Sequence, residues 1–187
     1  MNGFFRVALG AARGLLRLLF RIDDAQLARV PAQGPLIIIT IHVNMLEIPI
    51  LFSHLQPRPV TGLVAANRWQ NRLLRWLLDS YGAIPLRRGE ADVSALRRAI
   101  EMLEAGWILI IDPEGTRSGH GRLQQAHPGM VLLALRSGAP VLPLVHFGSE
   151  GYGARWRRLH RADLKMVVGE PFTLDARGAR VTSQVRR

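Results

Sequence analysis

No cysteine occurs among the 187 residues. That excludes disulfides, thiolate metal sites and any acyl-enzyme thioester carried on a cysteine, and it leaves the redox compartment open. Lysine is nearly missing as well: Lys165 is the single one, and every other cation is an arginine. Acid is in short supply, with 14 Asp and Glu against 25 Lys and Arg, so the chain carries a formal charge of +11. Such an excess attracts polyanions: nucleic acid, anionic lipid, phosphorylated cosubstrates or acidic carrier proteins. Aromatic residues are only 6% of the chain, few of them are interleaved with the arginines, and no nucleic-acid-binding motif accompanies the charge, which speaks against a nucleic-acid partner. No apolar run reaches the length of an ordinary membrane-spanning helix. A fixed-period repeat is also absent. The hydrophobic fraction of 48% is that of a folded protein, and the length suits one domain with a proper core.

The first 22 residues read as an amphipathic helix. Arg6, Arg13, Arg17 and Arg21 follow one another at spacings of 7, 4 and 4 and share one stripe. Phe4, Phe5, Val7, Leu9, Leu15, Leu16, Leu18, Leu19 and Phe20 fill the rest of the circumference. The wide apolar arc fits a helix lying in a bilayer interface with its arginines at the headgroups; the other reading is a helix packed on the domain with a solvated arginine face. The expected organisation is therefore a membrane-associating helix over 1–22, a domain over 23–175 and a basic tail over 176–187.

Within the domain, continuously apolar runs alternate with amphipathic ones. Leu36 to Ile41, Ala83 to Leu86, Trp107 to Ile111, Pro140 to Val145 and Leu164 to Val168 read as strands. Residues 44–55, 67–80, 92–105 and 128–137 read as helices, capped by Asn67 and Asp92 and stopped at Gly82, Gly106 and Gly138. Trp69, Leu73, Trp76 and Leu77 are the expected packing face of the second helix. Val93, Leu96, Ile100 and Leu103 are that of the third. The alternation predicts an α/β domain: a mostly parallel sheet flanked by helices. In such sheets ligands sit at the carboxyl ends of the strands, and His42, Arg88 and Glu114 each follow a strand-like run.

Two groups of residues are candidates for chemistry. His42, with Glu47 five residues on, makes a possible base and orienting carboxylate; an exposed loop histidine fits the same residues. The segment Pro113-Glu114-Gly115-Thr116-Arg117-Ser118 offers a glycine for close backbone approach, two hydroxyls and an arginine for phosphate; an ordinary surface turn has the same composition. His42 and Glu47 lack the further ligands that a metal site needs.

Taken in order, these segments resemble the motifs of the glycerolipid acyltransferase family, which includes the lysophosphatidic acid acyltransferases. Ile41-His42-Val43-Asn44-Met45-Leu46-Glu47 is similar to its first motif, a histidine followed after four residues by an aspartate. Gly82-Ala83-Ile84-Pro85-Leu86-Arg87-Arg88 resembles the second, with Arg88 in the arginine position and Arg87 as a close rival. Pro113 to Ser118 resembles the third, and Val141-Leu142-Pro143 the fourth. Four departures stand out: Glu47 replaces the aspartate, Asp112 a phenylalanine, His127 a basic residue beyond the third motif, and a residue near Asn67 the lysine that precedes the second.

The resemblance implies transfer of a fatty acyl chain from acyl-CoA or acyl carrier protein, as cosubstrate, to the hydroxyl of a lysophospholipid such as 1-acylglycerol-3-phosphate. It implies no metal and no bound cofactor. In that scheme His42 is the general base and Glu47 orients it. Arg88, Glu114, Gly115, Thr116 and Arg117 bind the acceptor. The protein would be peripheral or monotopic, on the cytoplasmic face of an anionic membrane, in phospholipid biosynthesis. The departures at Glu47 and Asp112 leave a second reading: a lipid-binding protein of the same fold with weakened catalysis.

Overall fold

The computed structural model describes residues 3–41, 47–89, 92–115, 125, 127–148 and 160–174. Helix α1 (Gly3–Leu19) is followed by β1 (Phe20–Asp23), a 3-10 turn (Ala25–Arg29), β2 (Leu36–Ile39), α2 (Glu47–His54), β3 (Val60–Ala65) and a second 3-10 turn (Ala66–Gln70). Then come α3 (Arg72–Ser80), β4 (Ile84–Leu86), α4 (Val93–Glu104), β5 (Ile108–Ile111), α5 (Gly129–Ser137), β6 (Val141–Phe147) and β7 (Ala162–Val168). The strands form one sheet in the order β1-β7-β6-β2-β5-β3-β4. From β6 to β4 all neighbours are parallel. Strand β7 runs antiparallel to β6, and β1 runs parallel to β7. The expected α/β architecture is the one observed.

Strand alternation divides the core between two faces. Leu36 and Ile38 of β2 join Leu9 of α1 and Leu51, Phe52 and Leu55 of the α2 segment on one side. On the other, Ile37 joins Ala95, Ala99 and Leu103 of α4 and Leu133 and Ala134 of α5. The β2 residues Leu36, Ile37 and Ile38 are wholly buried, which is why this run is apolar without alternation.

At the amino edge the chain enters β2, β3 and β5 side by side, and one buried arginine ties these entries together. Arg58 donates from Nη1 to the Pro31 carbonyl (2.8 Å) and from Nη2 to the Gly106 carbonyl (3.0 Å) and the Gly34 carbonyl. Its pKa is lowered by burial.

Several sequence expectations are corrected. The N-terminal helix ends at Leu19, and residues 20–22 belong to β1. Two arginines of its stripe reach toward the domain: Arg13 Nη2 and Arg17 Nη2 both donate to Asp24 Oδ2, at 3.2 and 2.7 Å. Burial raises the Asp24 pKa, but these two hydrogen bonds outweigh it and the net shift is downward. Leu9 and Leu16 are buried, while Val7, Leu15 and Leu18 are left exposed. The surface that α1 offers outward therefore carries apolar residues beside the half-exposed Arg17.

The expected helix over 67–80 is a 3-10 turn followed by α3, and its cap is Asn71, whose side chain accepts from the Leu74 amide, not Asn67. Leu78 is its buried residue, whereas Leu73, Trp76 and Leu77 of the expected packing face are exposed. Helix α4 does start at Asp92, but it buries Ala95, Ala99 and Leu103, and Val93 points outward. Strands β1 and β3 had no counterpart in the sequence reading. The expected tail over 176–187 lies outside the described residues.

Candidate active site

The carboxyl edges of β2, β5, β3 and β4 lie on one side of the sheet because these strands are parallel. Strands β2 and β5 are neighbours with Ile39 opposite Ile111, and the Thr40 amide donates to the Ile111 carbonyl at 3.1 Å. The next residues in step are thus Thr40 and Asp112. Ile41 is the last described residue before His42, so β2 delivers the chain to this edge beside the turn that carries Glu114. His42 itself, Thr116 and Arg117 lie outside the described residues. Glu47 opens α2, and its side chain is not among those described.

The turn after β5 is tightly built. The Gly115 amide donates to the Asp112 carbonyl (3.0 Å), and the His127 amide donates to the Pro113 carbonyl (2.8 Å). Gly115 has φ +62, and a Cβ there would come within 3.0 Å of His127 Cδ2. Both the left-handed backbone and the approach of the imidazole require a residue without a side chain.

Glu114 is 5% exposed, and among the described residues neither of its carboxylate oxygens has a hydrogen-bond partner. The same holds for Oγ1 of Thr40, also buried. Burying acceptors without donors is costly, so a ligand hydroxyl or cation that reached this place would find strong acceptors ready. Thr40 is a residue that sequence reasoning missed.

Arg88 lies exposed at the same edge, beyond β4. Two strand spacings separate β4 from β5, roughly 10 Å. Asp92 fixes the backbone of this turn: its Oδ2 accepts from the Arg87 amide at 3.0 Å, while Oδ1 accepts from Ser94 Oγ and the Ala95 amide. Hydrogen bonds from Ser94, Arg87 and Ala95 lower the Asp92 pKa to about 2. The edge thus carries a cationic turn on one flank and a buried carboxylate near its middle. Among the described residues no group of three His, Asp or Glu side chains is placed to hold a metal ion.

Comparison with known proteins places this geometry. Residues 21–146 match the model of the Acyltransferase family. A chloroplastic 1-acyl-sn-glycerol-3-phosphate acyltransferase of Brassica napus is 26% identical over 82% of this chain and 45% of its own length. A lyso-ornithine lipid O-acyltransferase of Pseudomonas aeruginosa is 31% identical over 59% of this chain and 42% of its own length. The chain thus spans less than half the length of these two relatives. The crystal structure of the 1-acyl-sn-glycerophosphate acyltransferase PlsC from Thermotoga maritima superposes with a TM-score of 0.68 at 19% identity, covering 97% of this chain and 73% of that one; at that identity it shows the shared fold. The family match spans most of the sheet and both strand exits that lead to His42 and Glu114: the chain belongs to the Acyltransferase family.

Proposed function

We propose that this chain transfers a fatty acyl group from acyl-CoA or acyl carrier protein to the hydroxyl of a lysophospholipid such as 1-acylglycerol-3-phosphate, as a step of phospholipid biosynthesis. The observation that carries the reading is the buried Glu114 carboxylate, without a partner among the described residues, at the sheet edge where β2 leads to His42.

The acceptor is held by Glu114, which takes a hydrogen bond from it, and by Arg88 and Arg117, which pair its phosphate. The Gly115 backbone lets the acceptor approach closely, and Thr116 adds a hydroxyl. His42 removes the proton from the acceptor hydroxyl as that oxygen attacks the thioester carbonyl, and Glu47 holds His42 in the working tautomer. The C–S bond then breaks. The proton passes from His42 to the departing thiolate, leaving an ester and a free thiol. No covalent enzyme intermediate and no cofactor is needed.

The enzyme works at the cytoplasmic face of an anionic membrane, where both donors and the acceptor meet. Among the described residues no helix is long and apolar enough to cross a membrane, and the outward apolar residues of α1, Val7, Leu15 and Leu18, give it a surface to lay on lipid.

His42→Ala in a folded protein is expected to lower turnover by about 10²–10⁴-fold, the usual contribution of a general base; near-normal turnover would remove His42 from that role. Glu47→Asp should keep partial activity and Glu47→Gln little. An inactive wild type rescued by Glu47→Asp would establish the weakened-catalysis reading instead. Arg88→Ala and Arg117→Ala should weaken acceptor more than donor binding, with Arg87→Ala as the comparison. A lyso-ornithine acceptor, which carries no phosphate, tests whether phosphate is what the arginines read. Equal losses on both acceptors would refute phosphate pairing.

A further inference from the structure

Helix α3 spends its largest apolar side chains on solvent. Leu73 is 77% exposed, Trp76 55% and Leu77 37%, while the buried contact is made by the smaller share of the helix at Leu78. At 100° per residue the three exposed side chains cover roughly 100° of the circumference. Arg72 flanks that arc on the side away from Leu78, Arg75 lies further round the same side, and Arg68 precedes the helix in the 3-10 turn. All three arginines are exposed.

The segment 66–80 holds these three arginines against one acid, Asp79. Asp79 is already engaged by Arg75 at 3.7 Å and by the Trp69 indole N–H at 2.8 Å. What remains is an apolar arc with a tryptophan in it and an excess of positive charge along one side.

We infer that α3 is a second membrane-docking element, whose Leu73, Trp76 and Leu77 enter the interface of an anionic bilayer while Arg68, Arg72 and Arg75 meet lipid phosphates. An indole suits the headgroup level, and arginines beside an apolar arc reach outward to phosphate. The charge decides between occupants. A second copy would bring the same cationic strip against itself, whereas an anionic lipid surface complements it.

Topology adds a consequence. Helix α3 leaves the carboxyl edge after β3 and returns to the amino edge to enter β4, which runs parallel to β3. Its first turn, with Leu73, therefore stands at the edge that bears Arg88 and Glu114. Docking through α3 would bring that edge to the lipid from which an acceptor comes. The inference rests on the reading of the chain as an enzyme of the bilayer surface, but it assigns a contact separate from α1.

The absence of cysteine makes a direct test available. Leu73→Cys in the full chain is labelled with an environment-sensitive dye, with Val93→Cys on α4, also exposed, as the reference. On vesicles of phosphatidylcholine with phosphatidylglycerol, the dye at 73 is expected to shift to the blue and brighten severalfold, and the dye at 93 to stay unchanged. Pure phosphatidylcholine should give a much smaller response. Leu73→Ser combined with Trp76→Ser should lower partitioning onto the anionic vesicles by about tenfold or more. Both sites are exposed, so circular dichroism and turnover of a short, soluble acceptor should not change.

An unmoved dye at 73 while the wild type floats with vesicles would overturn α3 docking and leave the surface reading to α1. Failure of the wild type to float would sink that wider reading. A blue shift without vesicles that grows with protein concentration would show self-association instead. Equal responses on neutral and anionic vesicles would refute the charge argument.

Discussion

The two edges of the sheet are built from the same strands and treat buried polar atoms in opposite ways. At the amino edge, Arg58, on the entry to β3, brings a buried charge and satisfies three carbonyls from the entries to β2 and β5. At the carboxyl edge, Glu114 and Thr40 are equally buried and find no partner among the described residues. A fold gains from closing its polar groups on themselves. It has no such use for a buried carboxylate left without donors. The difference sets an edge whose buried polar groups are closed on one another against an edge whose acceptors are unmet among the described residues, and the proposed function gives those acceptors a substrate to meet.

The sharpest way to test the contrast is to reverse it. Arg58→Ala removes a buried side chain and leaves three partly buried carbonyls without their donor, and should cost roughly 3 kcal/mol. For a chain of this size that lowers the melting temperature by about 10 °C. KM for the acceptor should hold in whatever fraction remains folded, and a changed KM would show that the amino edge reaches the site.

Glu114→Gln should do the reverse. Removing the charge relieves burial, so the melting temperature should hold or rise, while turnover falls by about 10–100-fold through a lost charge-assisted hydrogen bond. A destabilised Gln variant with unchanged turnover would assign Glu114 to the frame.

Gly115→Ala sits between the two. Its φ of +62 and the His127 ring at 3.0 Å predict a loss of about 1–2 kcal/mol in thermal unfolding, with a drop in activity as the turn shifts.

The smallest effect is a pH slope at the joint between α1 and α2. His54 is buried, its Nδ1 lies 2.9 Å from the Ile50 carbonyl, to which it donates, and Nε2 has no partner among the described residues. Burial pushes its pKa below the ordinary 6.5; the Ile50 carbonyl and Asp24 oppose this, and Arg13 and Arg17 reinforce it. The unfolded chain therefore takes up this proton at a higher pH than the folded one. Stability from the neutral ring is fully present above 6.5 and declines as pH falls from there toward the folded pKa. His54→Asn should flatten that part of the stability curve; an unaltered slope would place the titrating group elsewhere.

Much of this was legible in the sequence where one physical signal dominated. Leu36 to Ile39 and Ile108 to Ile111 lie between layers and are apolar throughout, and Asp92 caps α4 as its type and place suggest. Strand β3 hid because its sheet position needs residues that do not look like a strand. Thr61 donates its hydroxyl to the Gly82 carbonyl at 2.7 Å, and the Ile110 carbonyl lies 3.3 Å from where a Cβ on Gly62 would stand. Strand β1 hid behind the helical period that precedes it.

The packing face of α3 and, at Val93, that of α4 differ from expectation for a common reason, while Leu96 and Leu103 of α4 do pack on the core. Large side chains were assumed to face inward, whereas the close contact of α4 with β5 and α5 favours Ala95 and Ala99. On α3 the large side chains are outside. At the site, the order of polar residues beyond the strands was readable, but their burial was not: Glu114 and Arg88 are both charged residues in turns, and only the sheet buries one and exposes the other.

The pairing of β1 with β7 reaches beyond stability. Phe20 to Asp23 lie beside Ala162 to Lys165, so this edge cannot form until nearly the whole domain has been synthesised. Closing so long a loop costs about 4 kcal/mol of chain entropy, and such distant pairings form late in folding. During translation, then, α1 leaves the ribosome long before its neighbouring strand exists, with an apolar surface and no sheet to settle on. A ribosome stalled before residue 162 should hold a nascent chain whose first twenty residues remain open to protease, and which become protected once β7 has emerged.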